Sequence, residues 1–424
     1  MDLNGLWRVP LKRGDFGQIG KIPKQEKVKV FFLFFSSSLV AILLLEFGLR
    51  IFAPPRNIAA GTLDTTKSAH YGWTLPPNEE LTFIDPDTGE KFAFTTNSEG
   101  WKDVDHNFAK PEGVFRILFI GDSITAGQVR PEDLYTNKVG ELLAERQITN
   151  VEIISIGIGA WGTDQILEAL KLEGLKYAPD LVIYQLNPND LTDNLSPNPS
   201  TPEDNIRWKK PFKYEIQNGQ LVRISIPRPG KFDQSTQWFM RSAIVYNLTR
   251  VTNWVKNRLD YPKGKVSTNT NWWDEYPSNP VTSIRYYAGE QTPDMDRAYA
   301  LMEALILEMK HHVEAYGASF IVFTTAGDEG YRQWNLNHEW MFSDADGDYI
   351  QWETERHPVN WYIQLEKIKE MTTKHGIPLI EPVRVYERYR NDAHPNAAGN
   401  LNMALDIVDY LLTEGGDLSK WANP

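Results

Sequence analysis

From residue 114 onward, apolar runs of strand length alternate with stretches whose apolar positions recur every three or four residues. The runs "VFRILFIGD", "VEIISIG", "PDLVIYQL", "ASFIVFTTAG" and "IPLIEP" are apolar nearly throughout, as strands covered on both faces must be. Between them, "NKVGELLAERQ" and "TDQILEALKLEGL" have helical periodicity. In the second, Ile166, Leu167 and Leu170 share one face and Thr163 suits the N-cap. "MDRAYALMEALILEMKHHVEAYG" predicts a long helix ending at Gly317, where glycine can take the left-handed conformation of a helix end. Residues 361–375 and "PNAAGNLNMALDIVDYLL" predict two more helices. Repeated β-α alternation predicts an α/β domain over residues 114–416, a parallel sheet with helices on both faces, followed by a short tail, 417–424.

Two stretches break the alternation. Residues 194–293 are rich in Pro, Asn and Trp, including "NWWDEYPSNP", and residues 328–359 are similarly irregular. Both follow the carboxyl end of a predicted strand, where open α/β sheets bind ligands, so both are expected to wall a site. Upstream, "LTFI" and "FAFTT" flank "DPDTGE", whose Pro and Gly suit a turn, so residues 81–113 read as a small β unit opening on a hairpin. Residues 54–80, with paired prolines and many Ser and Thr, read as a linker.

The N-terminal pattern is different again. "VFFLFFSSSLVAILLL", residues 30–45, carries no charge, and the apolar character continues to Phe52 apart from Glu46 and Arg50, which stand four apart and can pair. At about 1.5 Å per residue this stretch spans a hydrocarbon core of about 30 Å. Arg8, Lys12, Arg13, Lys21, Lys24, Lys27 and Lys29 precede it, whereas only Arg50 and Arg56 follow before Lys67. That asymmetry predicts a single-pass helix over 30–53, residues 1–29 in the cytoplasm and the remainder outside the cell membrane. A cleaved signal peptide and a buried core helix are the alternatives. The long basic leader, with no small-x-small site directly after the run, favours an anchor.

Composition narrows the function. A formal net charge of −12 over 424 residues argues against nucleic acid, whose phosphates select a basic face. With no cysteine, disulfides, zinc-thiolate sites and a cysteine nucleophile are excluded. The 14 tryptophans are read mainly as core, with platforms for sugar rings or apolar chains as the other use.

Candidate chemistry collects at predicted strand ends. Ser123 stands where "FRILFIGD" stops and a helix begins, so its hydroxyl projects into a cleft and its backbone N–H faces any oxyanion. Gly-Asp-Ser alone is equally a capping turn. "NDAHPNAAGN" sets His394 at a loop-to-helix joint, with Asp392 two residues earlier and Pro395 at a favoured first helical position. A histidine held so can take a proton while a carboxylate orients its ring; a capping or surface histidine is the plain alternative. "QLNPND" places Asn189 after another strand, able to donate to a developing oxyanion, and the small residues of "SIGIGAWGTDQ" leave backbone N–H groups open to a carbonyl.

This set resembles the SGNH (GDSL) hydrolases. The resemblance implies a three-layer α/β/α flavodoxin-like domain and esterase, lipase, deacetylase or acyltransferase activity. It makes "GDSIT" the first block, with Ser123 the nucleophile, and lays the oxyanion glycine on Ala160, next to Gly159. The third block, Gly-x-Asn-Asp in the family, reads "NPND", with Asn187 in place of Gly and Asn189 on the oxyanion amide. In the last block the family's Asp-x-x-His places Asn391 where the Asp belongs, while Asp392 gives Asp-x-His. The implied triad is Ser123, His394 and Asp392, with Asn391 a competing partner, and the implied oxyanion donors are Ser123, Ala160 and Asn189. The lead-in and the apolar N-terminus resemble a membrane-tethered bacterial branch.

The resulting expectation is a membrane-anchored, extracytoplasmic serine esterase acting on an ester-bearing substrate, with acylated polysaccharide or lipid as candidate classes and no cofactor or metal. An O-acyltransferase with the same triad and an inactive scaffold are the alternatives. Asp344, Asp346, Asp348 and Glu355 fall at calcium-loop positions, but Tyr349 stands where the loop needs glycine, so the stretch reads as a solvated acidic turn. "KHH" at Lys310–His312 reads as favourable charge near a helix end.

Overall fold

The computed structural model describes residues 24–52, 68–195, 210–226, 242–245, 247–248, 251, 293–338, 341–352, 355–413 and 418. The chain divides into two compact units, Met1–Pro55 with Phe239–Thr249, and Arg56–Trp238 with Arg250–Pro424. Much of the expected 194–293 insertion and the expected tail lie outside the described residues.

The first unit contains the helix Lys24–Phe52, whose segment Phe32–Phe52 is long and apolar enough to cross a membrane. Phe32, Leu33, Phe34 and Leu44 are exposed. Glu46 and Arg50 pair at 2.8 Å, as their spacing predicts. The Glu46 carboxylate also accepts from Ser242 Oγ at 2.7 Å and from the backbone N–H groups of Ala243 (2.8 Å) and Ile244 (3.0 Å).

The second unit opens on a short helix, Ser68–Tyr71, and the hairpin β1 (Glu80–Ile84) and β2 (Lys91–Thr95). Then follow β3 (Phe115–Gly121), β4 (Val151–Gly157), β5 (Leu181–Leu186), the hairpin β6 (Phe212–Gln217) and β7 (Gln220–Ser225), and β8 (Ser319–Thr324). Three short strands, β9 (Phe342–Asp344), β10 (Gly347–Trp352) and β11 (Glu355–Pro358), and the two-residue β12 (Leu379–Ile380) complete the set. The central sheet is all parallel, in the order β12-β8-β5-β3-β4. In chain order of its own strands this is the 2-1-3-4-5 flavodoxin-like arrangement, whose switch point lies between β3 and β5.

Alternating side chains feed two cores. Leu118, Ile120, Ile154, Val182, Tyr184 and Val322 face the helices Thr163–Leu172, Pro293–Tyr316 and Ile363–Lys374. Ile117, Phe119, Ile183, Ile321 and Phe323 face the helices Tyr135–Glu145 and Ala397–Leu411. All seven residues of β3 are buried, so the strand has no solvent face along which to slip register. The result is the three-layer α/β/α domain the alternation predicts.

Several boundaries differ from the sequence reading. Tyr71 and Trp73, placed there in a linker, are 0% and 1% exposed and join the core with Trp101 and Trp161, because two large aromatics gain more from burial than a spacer would. Thr163 is the first helical residue and Gly162 the N-cap; the Thr163 hydroxyl meets Tyr184 Oη at 2.9 Å instead of capping. The last helix opens at Ala397 behind Asn396, whose side chain accepts from Gly399 N at 3.0 Å, so Pro395 precedes the helix. Both irregular stretches contain regular structure. In the first, Asn218 and Gly219 take the left-handed conformations (φ 52° and 77°) of a two-residue hairpin turn between β6 and β7. In the second, the helix Glu329–Asn337 precedes β9–β11, and the carboxylates of Asp344 and Asp348 pair with Arg356 and Arg332.

Candidate active site

Strand β3 delivers Ser123 to the carboxyl edge of the sheet at the switch point. Asp122 caps the four-residue helix Ser123–Ala126, its Oδ1 accepting from Ile124 N at 2.9 Å. That helix lies so close to β4 that a Cβ on Gly157 would come within 2.5 Å of Ala126 N; only glycine fits there. Ser123 is partly exposed at the first helical position, where a backbone N–H has no intrahelical acceptor.

His394 reaches this point from the other end of the chain. The bridge Arg388↔Pro395 and the bond from Tyr389 N to His394 O (3.2 Å) pinch residues 388–395 into a tight loop. Within it, His394 Nε2 lies 2.9 Å from Ser123 Oγ and Nδ1 lies 2.5 Å from Asp392 Oδ1, which also accepts from His394 N at 2.8 Å. Burial works to raise the Asp392 carboxyl, but the hydrogen bonds and charge of His394 outweigh it and hold Asp392 below the usual carboxylate range. Asn391 faces away, its amide donating to Pro86 O at 3.2 Å and its backbone N–H to Asp87 Oδ1 at 2.9 Å. Of the two candidate partners, Asp392 therefore faces the imidazole.

Ala160 takes φ 60°, the left-handed conformation that favours the glycine of the family pattern. A Cβ on the neighbouring Gly159 would lie 3.9 Å from Ser123 Cβ, so this turn passes beside the serine. Two indoles brace it: Trp73 Nε1 donates to Gly159 O at 2.9 Å, and Trp161 Nε1 to Trp73 O at 3.0 Å. The left-handed alanine costs about 1–2 kcal/mol, and a glycine there would give back about 0.5–1 kcal/mol in unfolded-state entropy. Ala160→Gly is thus expected to raise stability by about 0.5–1 kcal/mol, read from the urea midpoint.

Asn189 follows β5. Its Nδ2 donates to Asp193 Oδ2 at 2.8 Å and its Oδ1 accepts from Asn187 Nδ2, which also donates to Asp122 Oδ2 at 3.0 Å. Thr325 Oγ1 fixes the other end of Asn187 at 2.7 Å. Asn187, a departure from the family glycine, thus ties the Asp122 turn to Asn189. Behind it, burial pushes Asp193 up to about 7, with Lys210 and the Asn189 bond working against the shift. Burial and the neighbouring Asp122 charge push Asp190 well above the carboxylate range.

Two residues here had escaped the sequence reading. Gln128 Nε2 lies 3.0 Å from His394 Nδ1, and turning the amide end for end would present Oε1 to the N–H that Asp392 accepts. Lys102 is buried beneath the Gln128 loop, donating to Gly127 O (3.1 Å) and Val129 O (2.7 Å), over the rings of Phe83 and Phe94. Neither carries a sequence signal, since each contact joins residues that no spacing relates. Burial drives the Lys102 ammonium from its ordinary 10.5 down to about 7, with Glu132 partly opposing. A lysine depressed in the folded state leaves the unfolded chain holding the extra proton between those values, so folding gains stability as pH rises from about 7 toward 10.5. From pH 7 to 9 the unfolding free energy read from urea titrations is expected to climb more in the wild type than in Lys102→Met, by about 1–2 kcal/mol.

Among the described residues no cluster of three or more His, Asp or Glu side chains could hold a metal ion. The sequence model of the GDSL-like lipase/acylhydrolase family matches residues 119–401, more than half of the chain. No curated protein matches it. Solved structures similar to this chain include a lipase/acylhydrolase from Enterococcus faecalis (14% identity, 70% of this chain and 94% of that one, TM-score 0.33). An acetyl xylan esterase (13%, 70% and 98%, TM-score 0.33) and a carbohydrate acetylesterase family member from Sinorhizobium meliloti (8%, 70% and 98%, TM-score 0.30) are also similar. The chain, matched from the middle of β3 into the helix that follows His394, belongs to the GDSL-like lipase/acylhydrolase family.

Proposed function

We propose that the chain is a serine ester hydrolase whose reacting group is Ser123. The observation that carries the reading is the unbroken hydrogen-bonded line from Ser123 Oγ through the His394 ring to Asp392. Ser123 Oγ attacks the ester carbonyl carbon while His394 Nε2 takes its proton, and Asp392 holds the ring and offsets its charge. The carbonyl oxygen becomes an oxyanion, received by the N–H groups of Ser123 and Ala160 and by the second N–H of the Asn189 amide, whose first serves Asp193. Collapse breaks the C–O bond, and the imidazolium returns the proton to the leaving alkoxide. Water then attacks the acyl-serine by the same steps, releasing a carboxylic acid and free Ser123.

The N-terminal helix and the basic residues ahead of it support an anchor over 30–53 with residues 1–29 cytoplasmic and the ester-cleaving domain outside. The substrate is then an ester borne by envelope polysaccharide or lipid. A fluorophosphonate probe is the direct test: it is expected to form one covalent adduct, on Ser123. A chain that takes no label and releases no acetate from an activated acetyl ester is not a serine hydrolase. Asn189→Ala is expected to lower kcat by about 10²–10³-fold.

A further inference from the structure

Residues ahead of the family-matched stretch touch the loops that set the Ser123–His394 distance. The turn between β1 and β2 is tied by its own hydrogen bonds: Asp85 Oδ1 accepts from Asp87 N at 3.0 Å and Thr88 N at 2.7 Å, and Asp85 O from Gly89 N at 2.9 Å. So held, it presents Asp87 to the histidine loop. There one carboxylate accepts two consecutive backbone N–H groups, Arg390 N at Oδ2 (2.8 Å) and Asn391 N at Oδ1 (2.9 Å), directly before Asp392. The bond from the Asn391 amide to Pro86 O adds a third tie.

The same turn is joined to the serine side. Glu90 pairs with Arg130 at 2.5 Å, and the Arg130 guanidinium lies 5.5 Å from the Phe92 ring centroid. Arg130 continues the loop whose Gln128 amide meets His394. One hairpin therefore spans the two loops that must keep their separation if Oγ and Nε2 are to stay in hydrogen-bond reach.

We propose that the β1–β2 turn is a cross-brace and that Asp87 is a positioning residue for the Asp392–His394 pair. The proposal rests on the reading of Ser123 and His394 as reacting groups. Fixing two successive peptide N–H groups restricts the backbone immediately before Asp392, and so the direction from which its carboxylate meets Nδ1. Without the brace the pair drifts, and misplacement on the order of 1 Å costs about 10²-fold.

The test compares full-length wild type, Asp87→Ala, Asp87→Asn and Lys91→Ala, a change on the exposed edge of the same hairpin. Turnover of an activated acetyl ester is measured per site titrated by fluorophosphonate, so that misfolded chains do not count. Asp87→Ala is expected to lower kcat by about 10–10²-fold with KM changed by less than about twofold. Asp87→Asn, which keeps one acceptor oxygen, restores most of the loss, and Lys91→Ala behaves as wild type. Wild-type kcat per titrated site in Asp87→Ala, or Asp87→Asn no better than Asp87→Ala, overturns the brace alone. A wild type that takes no label overturns the Ser123 reading and the brace with it.

Discussion

Ser123→Ala is expected to remove ester hydrolysis, kcat falling by about 10⁶-fold toward the residual rate that oxyanion donors and binding alone sustain. The size follows from geometry. His394 Nε2 is 2.9 Å from Oγ, so the proton has one short path, and alanine removes both the nucleophile and the reason for that path. The same variant must lose the fluorophosphonate adduct while keeping its fold, because Ser123 is partly exposed and Asp122, not Ser123, caps the helix. Circular dichroism, labelling and acetate release together check this. Near-normal turnover by Ser123→Ala would place the hydrolysis elsewhere on the chain.

The second large effect separates neighbouring residues. Asp392→Asn is expected to cost about 10⁴-fold in kcat, because an amide in place of the carboxylate favours the wrong imidazole tautomer and cannot offset the imidazolium charge. Asn391→Ala is expected to stay within about tenfold of wild type, since it loses one exposed hydrogen bond to Pro86 O, a contact of about 1 kcal/mol. Initial rates on the same acetyl ester decide between them. The reverse ranking would place the supporting carboxylate elsewhere and undo the assignment of Asp392.

What could be read in the sequence divides along physical lines. β3, β4, β5 and β8 were legible because both faces are covered, leaving apolar runs that few other structures produce. The β6–β7 hairpin was missed although "QNGQ" holds an Asn-Gly turn signal, since the surrounding Pro and Trp suggested irregular chain. Within the site, Ser123 and Asn189 were legible as strand-end residues, and His394 as a histidine at a helix entrance. Spacing could not decide between Asn391 and Asp392, because adjacent loop residues point to opposite sides and the pinch of 388–395 sets which faces the ring. Gln128 and Trp73 act through contacts between distant positions and leave no local pattern, and the same holds for the ties of Asn187 to Asp122 and Thr325.

The indole bonds of Trp73 and Trp161 bear on where this domain can be cut. A fragment trimmed to the family-matched boundary would begin inside β3 and discard Trp73, Asp87 and Lys102 together. Gly159 O and the Trp161 indole would then face water where they now meet Trp73, and the core would open where Tyr71 and Trp101 had filled it. The smallest autonomous piece that keeps the turn beside Ser123 braced therefore starts at or before the helix Ser68–Tyr71, about fifty residues upstream of the family boundary at 119.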